Sequence, residues 1–196
     1  MNEELYEKIT DALVTDGYIV VENALSPEIA EQLYSYIVSK NDLKEAGVSL
    51  NKQVDKSRRR DKTQWLEEDG AIQSQFLSFA SELQRYLNRI LYLGLNDYEA
   101  HFALYEEGDF YETHIDAFKN SKNRVVTTVY YLNEDWREKD GGELIVYNEN
   151  GEFLTKVLPK ENTLVVFLSE KFPHEVKPAN KRRYSIAGWF RVDGVK

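Results

Sequence analysis

The chain has 196 residues, 42% of them hydrophobic and 13% aromatic, a composition typical of one globular domain with a substantial core. It contains no cysteine, which excludes disulfides and thiolate ligands, so any metal site must use nitrogen and oxygen ligands. The net charge of −9 argues against general nucleic-acid binding, because neutralising phosphates requires a basic surface. The acidic N-terminus does not resemble a secretory signal and no apolar run could span a membrane, so we expect a cytoplasmic protein without membrane association.

Three amphipathic helices are predicted in the first half of the chain. The first repeats apolar residues at helical spacing between Leu5 and Leu13 and ends before Gly17, where a short β-prone run begins. The second begins at Ser26-Pro27, an N-cap followed by proline at the first helical position. The third spans residues 72–90 and has apolar side chains on one face. All three helices are interpreted as packing surfaces.

The segment between the second and third helices, residues 40–63, has weak periodicity and includes the basic run Arg58-Arg59-Arg60. Such a run, taken alone, is typical of a solvated charged loop. A loop is therefore the structure that the local pattern predicts here.

The pattern changes to short strands from Tyr98 onward, with turn residues between them. Helices followed by strands predict an α+β fold, in which helices support one face of a β-sandwich or jelly roll. No composition shift marks a boundary, so we predict one domain over residues 1–196, with 1–95 as mainly helical support plus a loop and 96–196 as the jelly-roll core. The predicted strands span residues 98–105, 110–117, 124–132, 143–148, 152–157, 162–168 and 183–191.

The stretch His114-Ile115-Asp116 is the strongest candidate for a metal site. Alternation on a strand would point His114 and Asp116 to the same face. The chain has only three histidines, and His174, which follows a predicted strand, is the best candidate for a third ligand. Two histidines and one aspartate form the facial triad of non-haem Fe(II) oxygenases, which leaves positions open for a co-substrate and O2. Any single His-x-Asp is more often a surface pair or a strand hydrogen bond, so the combination carries the hypothesis.

Arg183 is a second unusual residue, because it opens an otherwise apolar predicted strand nine residues after His174. An arginine entering such a strand is costly unless a carboxylate meets it, and its planar fork suits a carboxylate held at both oxygens. A strand-end salt bridge is the simpler explanation. A dicarboxylate co-substrate would supply the same partner.

These residues resemble the motif of the Fe(II)- and 2-oxoglutarate-dependent dioxygenases, whose fold is a double-stranded β-helix. Within that superfamily the resemblance is to prolyl 4-hydroxylases of the hypoxia-inducible-factor type and their bacterial relatives. It covers roughly residues 55–193 and implies Fe(II), 2-oxoglutarate and O2, with ascorbate as a candidate reductant. The matching segments are Arg59-Arg60-Asp61-Lys62 with Trp65, His114-Ile115-Asp116, residues 129–136, Gly141-Gly142-Glu143-Leu144, residues 173–179, and Arg183-Tyr184-Ser185-Ile186 through Trp189.

The resemblance also implies roles for individual side chains. Fe(II) would be held by His114, Asp116 and His174. Tyr131 would join Arg183 at the far carboxylate of 2-oxoglutarate, with Thr127 on the same face of the strand by alternation. Tyr105 resembles a tyrosine that contacts the co-substrate. The residues placed on the substrate side are Arg59, Asp61, Arg124 and Trp189.

The reaction implied by the resemblance is hydroxylation of a prolyl residue in a protein, with an elongation factor or a ribosomal protein as a fitting target. The basic run and Arg124 would then form a local positive patch that binds a polypeptide. Two alternatives stay open, namely hydroxylation of free proline or another small metabolite, and a non-catalytic jelly-roll binding module. The intact triad and Arg183 argue against the binding module.

Overall fold

The structure is a computed structural model, and it describes residues 3–40, 43–46, 57–68, 70–117 and 123–192. Residues 41–42 and 47–56 of the predicted 40–63 loop lie outside the described residues. Within the described part of the chain, no helix is both long and apolar enough to cross a membrane.

Three helices lie in the first half of the chain, as predicted: α1 (Glu3–Thr15), α2 (Pro27–Val38) and α3 (Ala71–Leu91). The Ser26 hydroxyl accepts a hydrogen bond from the Ile29 amide and so caps α2, as the Ser-Pro pair predicts. The chain leaves α3 through Tyr92 in the left-handed conformation, with φ of 54°. The buried stripes of the three helices pack on one face of the larger sheet.

Two antiparallel sheets follow, and together they form the jelly roll. The larger sheet comprises seven strands: β1 (Tyr18–Glu22), β2 (Lys44–Glu45), β3 (Lys62–Trp65), β4 (Asp97–Tyr105), β6 (Arg124–Tyr131), β9 (Thr163–Leu168) and β11 (Arg183–Arg191). The smaller comprises four: β5 (Tyr111–His114), β7 (Leu144–Tyr147), β8 (Phe153–Val157) and β10 (His174–Val176). The strand order is β1-β9-β6-β11-β4-β3-β2 in the larger sheet and β5-β10-β7-β8 in the smaller.

Alternation along the long strands divides the core into two parts. Phe102, Tyr130 and Ile186 point toward the helices, whereas Tyr105 and Tyr131 point into the space between the sheets. The predicted α+β jelly roll with helical support is therefore present. The single-domain division of the chain stays a prediction.

Three local predictions differ from the structure. Residues 44–45 and 62–63 were expected in a loop but lie in β2 and β3, because both segments find hydrogen-bonding partners on neighbouring strands that local composition cannot reveal. The segment 174–176 was not predicted as a strand, yet it forms β10 between β5 and β7. The predicted strand 110–117 is shorter and ends at His114.

Candidate metal and co-substrate site

The three predicted metal ligands meet in the space between the sheets. β5 and β10 pair antiparallel with His114 opposite His174, and Asp116 follows in the bend after β5. The Asp116 carboxylate lies 3.6 Å from Nε2 of each histidine, and one ligand atom from each residue falls within 4.8 Å of the others. The expectation that Asp116 lies on the strand itself was wrong, because β5 ends before it. The bend nevertheless brings its carboxylate to both imidazoles.

Hydrogen bonds fix both histidines as ligands. The Nδ1 atom of His114 lies 2.8 Å from the Glu112 carbonyl, and that of His174 lies 2.9 Å from the Phe172 carbonyl. Because a carbonyl only accepts, each Nδ1 carries a proton, which leaves Nε2, the nitrogen nearer Asp116, as the atom available to bind a metal. Burial, reinforced by the charge of His114, lowers the pKa of His174 to about 4, so His174 is neutral at pH 7.

Asp116 is held ionised. Burial alone would raise its pKa, but the attraction of His174 and the hydrogen bond and charge of His114 outweigh burial and hold the pKa well below its usual range. Thr127 donates its hydroxyl to the carboxylate at 2.8 Å, and Ser169 lies 2.9 Å from the same hydroxyl. A deprotonated carboxylate and two neutral imidazoles are the donor set that fits Fe(II).

The contact of Thr127 with Asp116 was not anticipated. Thr127 was predicted to contact the co-substrate, and that role stays a prediction. Ser169 was missed altogether, since it follows β9 and carries no local signal of a site. Both residues orient a metal ligand through hydrogen bonding.

Arg183 lies in the same inter-sheet space with its charge unpaired. The residue is 1% exposed, and no carboxylate among the described residues forms a salt bridge with it. Its Nε donates to the Gly142 carbonyl at 2.9 Å and its Nη1 reaches the Ser185 hydroxyl at 3.4 Å. Among the described residues neither its Nη2 nor the buried hydroxyl of Tyr131 has a hydrogen-bond partner. Unpaired buried donors are costly, so this pair forms a cradle that fits the far carboxylate of 2-oxoglutarate.

Aromatic rings and one glycine shape that cradle. The Arg183 guanidinium lies 4.9 Å from the Tyr105 ring and 5.0 Å from the Tyr131 ring, so both predicted tyrosines contact it. Gly142 has φ of +70°, and a Cβ atom there would come within 3.1 Å of the Arg183 side chain. Glycine therefore lets its carbonyl approach the guanidinium. The sequence pattern Gly141-Gly142 indicated only a turn.

Comparisons with known proteins agree with this geometry. Residues 100–191 match the model of the 2OG-Fe(II) oxygenase superfamily. The crystal structure of a Pseudomonas putida prolyl-4-hydroxylase superposes with a TM-score of 0.86 at 35% identity, covering 96% of this chain and 100% of that chain. The chain belongs to the 2OG-Fe(II) oxygenase superfamily.

Two further relatives extend the comparison for this oxygenase. A prolyl hydroxylase from Trichoplax adhaerens, solved with a hypoxia inducible factor oxygen degradation domain peptide fragment, superposes with a TM-score of 0.87 at 27% identity, covering 98% of this chain and 91% of that chain. Human Egl nine homolog 1 is 32% identical over 196 residues, which is 94% of this chain and 46% of the human protein. The chain spans about half the length of the curated relatives it matches.

Family membership confirms several predictions made from the sequence. The fold is the double-stranded β-helix with supporting helices, and the superfamily to which the chain belongs is a superfamily of enzymes. Its metal and co-substrate are Fe(II) and 2-oxoglutarate, and the triad is present at the expected positions.

The segment 58–65, called the strap below, connects the two sheets of the oxygenase. Its first residues pair with β5: the Arg60 amide donates to the Phe110 carbonyl at 3.1 Å and the Glu112 amide donates to the Arg58 carbonyl at 2.8 Å. Its last residues form β3 on the larger sheet. Arg59 and Asp61, both predicted on the substrate side, lie where the strap crosses between the sheets.

Arg124 and Trp189, the other predicted substrate residues, lie together on the inner face of the larger sheet. The Arg124 guanidinium lies 3.8 Å from the Trp189 ring and donates to Glu99 at 2.7 Å. The row of rings continues from Trp189 to His101 at 5.4 Å and from His101 to Trp65 at 5.2 Å. The buried Trp189 indole N–H makes no close hydrogen bond within the described part of the chain, but it lies near enough to Asp116 to help lower the pKa of that carboxylate.

The predicted positive patch requires a correction. Arg59 forms a two-bond pair with Asp61, Arg58 lies 3.4 Å from Glu112, and Arg124 pairs with Glu99. Asp61 on the strap itself, Glu112 on β5 and Glu99 on β4 therefore neutralise much of the charge that the basic residues suggested. The rim is aromatic and mixed in charge rather than basic.

Proposed function

We propose that this oxygenase hydroxylates a prolyl residue within a polypeptide, using Fe(II) held by His114, Asp116 and His174. The observation that carries the oxygenase chemistry is the unpaired Arg183 and Tyr131 cradle in the same inter-sheet space as the triad. When bound, Fe(II) supplies the oxidative decarboxylation of 2-oxoglutarate by O2, which yields succinate and CO2 and places one oxygen atom on the substrate.

The protein's own residues orient and protect the reactants. Arg183 and Tyr131 would hold the far carboxylate of 2-oxoglutarate through charge-assisted hydrogen bonds, which fixes the keto acid relative to the triad. Tyr105, buried against Arg183, closes the apolar side of the cradle. Thr127 and the carbonyls behind both histidines hold the ligand atoms in place.

The row of rings favours a prolyl substrate in a peptide. Flat aromatic faces suit a pyrrolidine ring, and Trp65 is 43% exposed at the outer end of the row. The names of the relatives agree, since two solved structures are prolyl hydroxylases and one of them holds a peptide. An elongation factor or a ribosomal protein as the target is supported by the sequence resemblance alone.

The test compares peptide and free amino acid with the same enzyme. Protein purified without oxygen is given Fe(II), 2-oxoglutarate and ascorbate, the reaction is started with O2, and succinate formation is measured with proline-containing peptides or with L-proline. We expect peptide-dependent succinate and a gain of one oxygen on proline, both absent in Asp116→Ala. Mass spectrometry of the host proteome with and without the gene then identifies the target, with translation factors and ribosomal proteins inspected first. Hydroxylation of free L-proline with kcat/KM above about 10⁴ M⁻¹s⁻¹ would overturn the peptide proposal while leaving the iron chemistry intact.

A further inference from the structure

Tyr111, a residue without an assigned role so far, lies directly against a metal ligand. Its ring stacks on the His114 imidazole with centroids 3.6 Å apart and planes inclined by 15°. The Arg59 guanidinium lies 4.6 Å from the Tyr111 ring. Tyr111 therefore contacts both the strap and the first metal ligand.

On the strap, the side chain of Arg59 is fixed by a two-bond pair with Asp61. Asp61 accepts from Arg59 Nε at 2.5 Å and from Nη2 at 2.8 Å, and the Asp61 side chain is fully buried. A two-bond pair fixes the plane of a guanidinium as well as its position. The backbones of Arg59 and Tyr111 also form an isolated antiparallel β-bridge. Side-chain and main-chain contacts therefore both fix the position of the strap relative to β5.

His114 needs such support more than the other ligands do. Its side chain is 15% exposed, whereas those of His174 and Asp116 are each 6% exposed. His174 also packs against the Phe167 ring at 4.9 Å, inside the core. The Glu112 carbonyl and the Asp116 carboxylate contact the two ring nitrogens of His114, and the His174 ring, 4.3 Å away, meets the imidazole at 57° rather than face to face. These contacts still allow the imidazole to tilt about the line that joins its nitrogens. The stacked Tyr111 ring restrains that movement.

We propose that Tyr111 is a positioning residue that holds His114 in ligand geometry and couples it to the Arg59–Asp61 pair on the strap. The inference rests on the proposed function and deepens it, because it gives the substrate-side strap control over the metal centre. A substrate that contacts the strap then strengthens metal binding, and metal binding strengthens substrate binding by the same factor.

The test measures metal affinity directly, so it does not depend on turnover. Metal-free protein is titrated with Co(II), and the visible absorption of the bound ion reports both affinity and ligand geometry. We expect Tyr111→Leu to weaken Co(II) binding by about 3- to 10-fold and to change the absorption band, since one stacked aromatic contact is lost. Tyr111→Phe keeps the ring and should restore both to the wild-type values. Tyr111→Val replaces the leucine variant if that variant fails to fold.

A double-mutant cycle tests the coupling to the strap. Asp61→Asn should weaken Co(II) binding by about threefold in the wild-type background and by less than about 1.5-fold in Tyr111→Leu, because the effect passes through the ring. Asp97→Asn is the control for loss of an arginine–aspartate pair: its partner Arg191 is 16% exposed, as against 14% for Arg59, and that pair contacts no described metal ligand, although Asp97 is 36% exposed and Asp61 is fully buried. The control should leave Co(II) affinity unchanged.

Three results would overturn the inference. These are a change below threefold in Tyr111→Leu, failure of Tyr111→Phe to restore binding, or equal effects of Asp61→Asn in both backgrounds. Any of them leaves the proposed function standing if wild-type protein still binds Co(II) and hydroxylates peptide. Wild-type protein that binds no Co(II) at the triad would instead refute the proposed function.

Discussion

Replacing Arg183 with methionine removes the buried charge and keeps a side chain of similar length. Arg183 is 1% exposed and one of its guanidinium nitrogens has no hydrogen-bond partner among the described residues, so we expect the guanidinium to bind an anion. Removing one partner of a buried charge pair costs about 3 to 5 kcal/mol. The apparent constant for 2-oxoglutarate should therefore rise at least about 100-fold. Arg183→Lys keeps the charge but loses the planar fork, so its apparent constant for 2-oxoglutarate should lie between those of the wild type and Arg183→Met.

Thermal unfolding of Mn(II)-loaded protein without oxygen gives an independent measurement. At a 2-oxoglutarate concentration of about 100 Kd, the wild-type protein gains about 2.7 kcal/mol. For a chain of this size that gain raises Tm by about 5 to 10 °C. In Arg183→Met the same concentration is about equal to Kd or below it, so the rise should be about 1 °C or less.

Arg182→Met is the matched control, because Arg182 is an exposed neighbour paired with Glu106 at 2.7 Å. Its response to 2-oxoglutarate should equal that of the wild type. A change below about threefold in Arg183→Met, or a full rise in its Tm, would mean that the co-substrate is anchored elsewhere.

Four other substitutions test the metal ligands, the co-substrate cradle and a buried histidine. Asp116→Ala and His174→Ala should each abolish turnover and reduce retained iron measured by elemental analysis; unchanged iron and activity in both would refute the triad. Gly142→Ala adds a Cβ within 3.1 Å of Arg183 at a φ of +70°, so the KM for 2-oxoglutarate should rise about tenfold or more. Burial first, and then the charge of Arg59, lowers the pKa of His101 to about 4. As pH drops, His101 therefore binds a proton at a higher pH in the unfolded chain than in the folded chain, so the free energy of unfolding falls between about pH 6.5 and pH 4. His101→Phe should reduce the loss of unfolding free energy between pH 7 and 5 by about 2 kcal/mol in denaturant titrations of metal-free protein, and an unchanged loss would contradict this assignment.

The sequence by itself determined the chemical inventory of the site. Without cysteine and with only three histidines, few ligand sets were available, and the three ligands that meet are those chosen from the pattern. Alternation with a period of two also placed Arg183, Tyr131 and Thr127 on inward faces, because the direction of a side chain in a strand is a local property. Helices were predictable for the same reason, since caps and apolar stripes act over a few residues.

Partners that lie far apart in sequence were decided only by the tertiary structure. The pairing of β5 with β10 sets His174 opposite His114, and the bend after β5, rather than strand alternation, brings Asp116 to both. The short strand 62–65 exists because β4 offers a hydrogen-bonding edge, which outweighs a charged composition. The basic residues predict a positive patch, but in the structure Arg59 pairs with Asp61, and the fold places Glu99 beside Arg124 and Glu112 beside Arg58. A residue's charge is encoded locally, but its neutralisation depends on which strands the fold brings together.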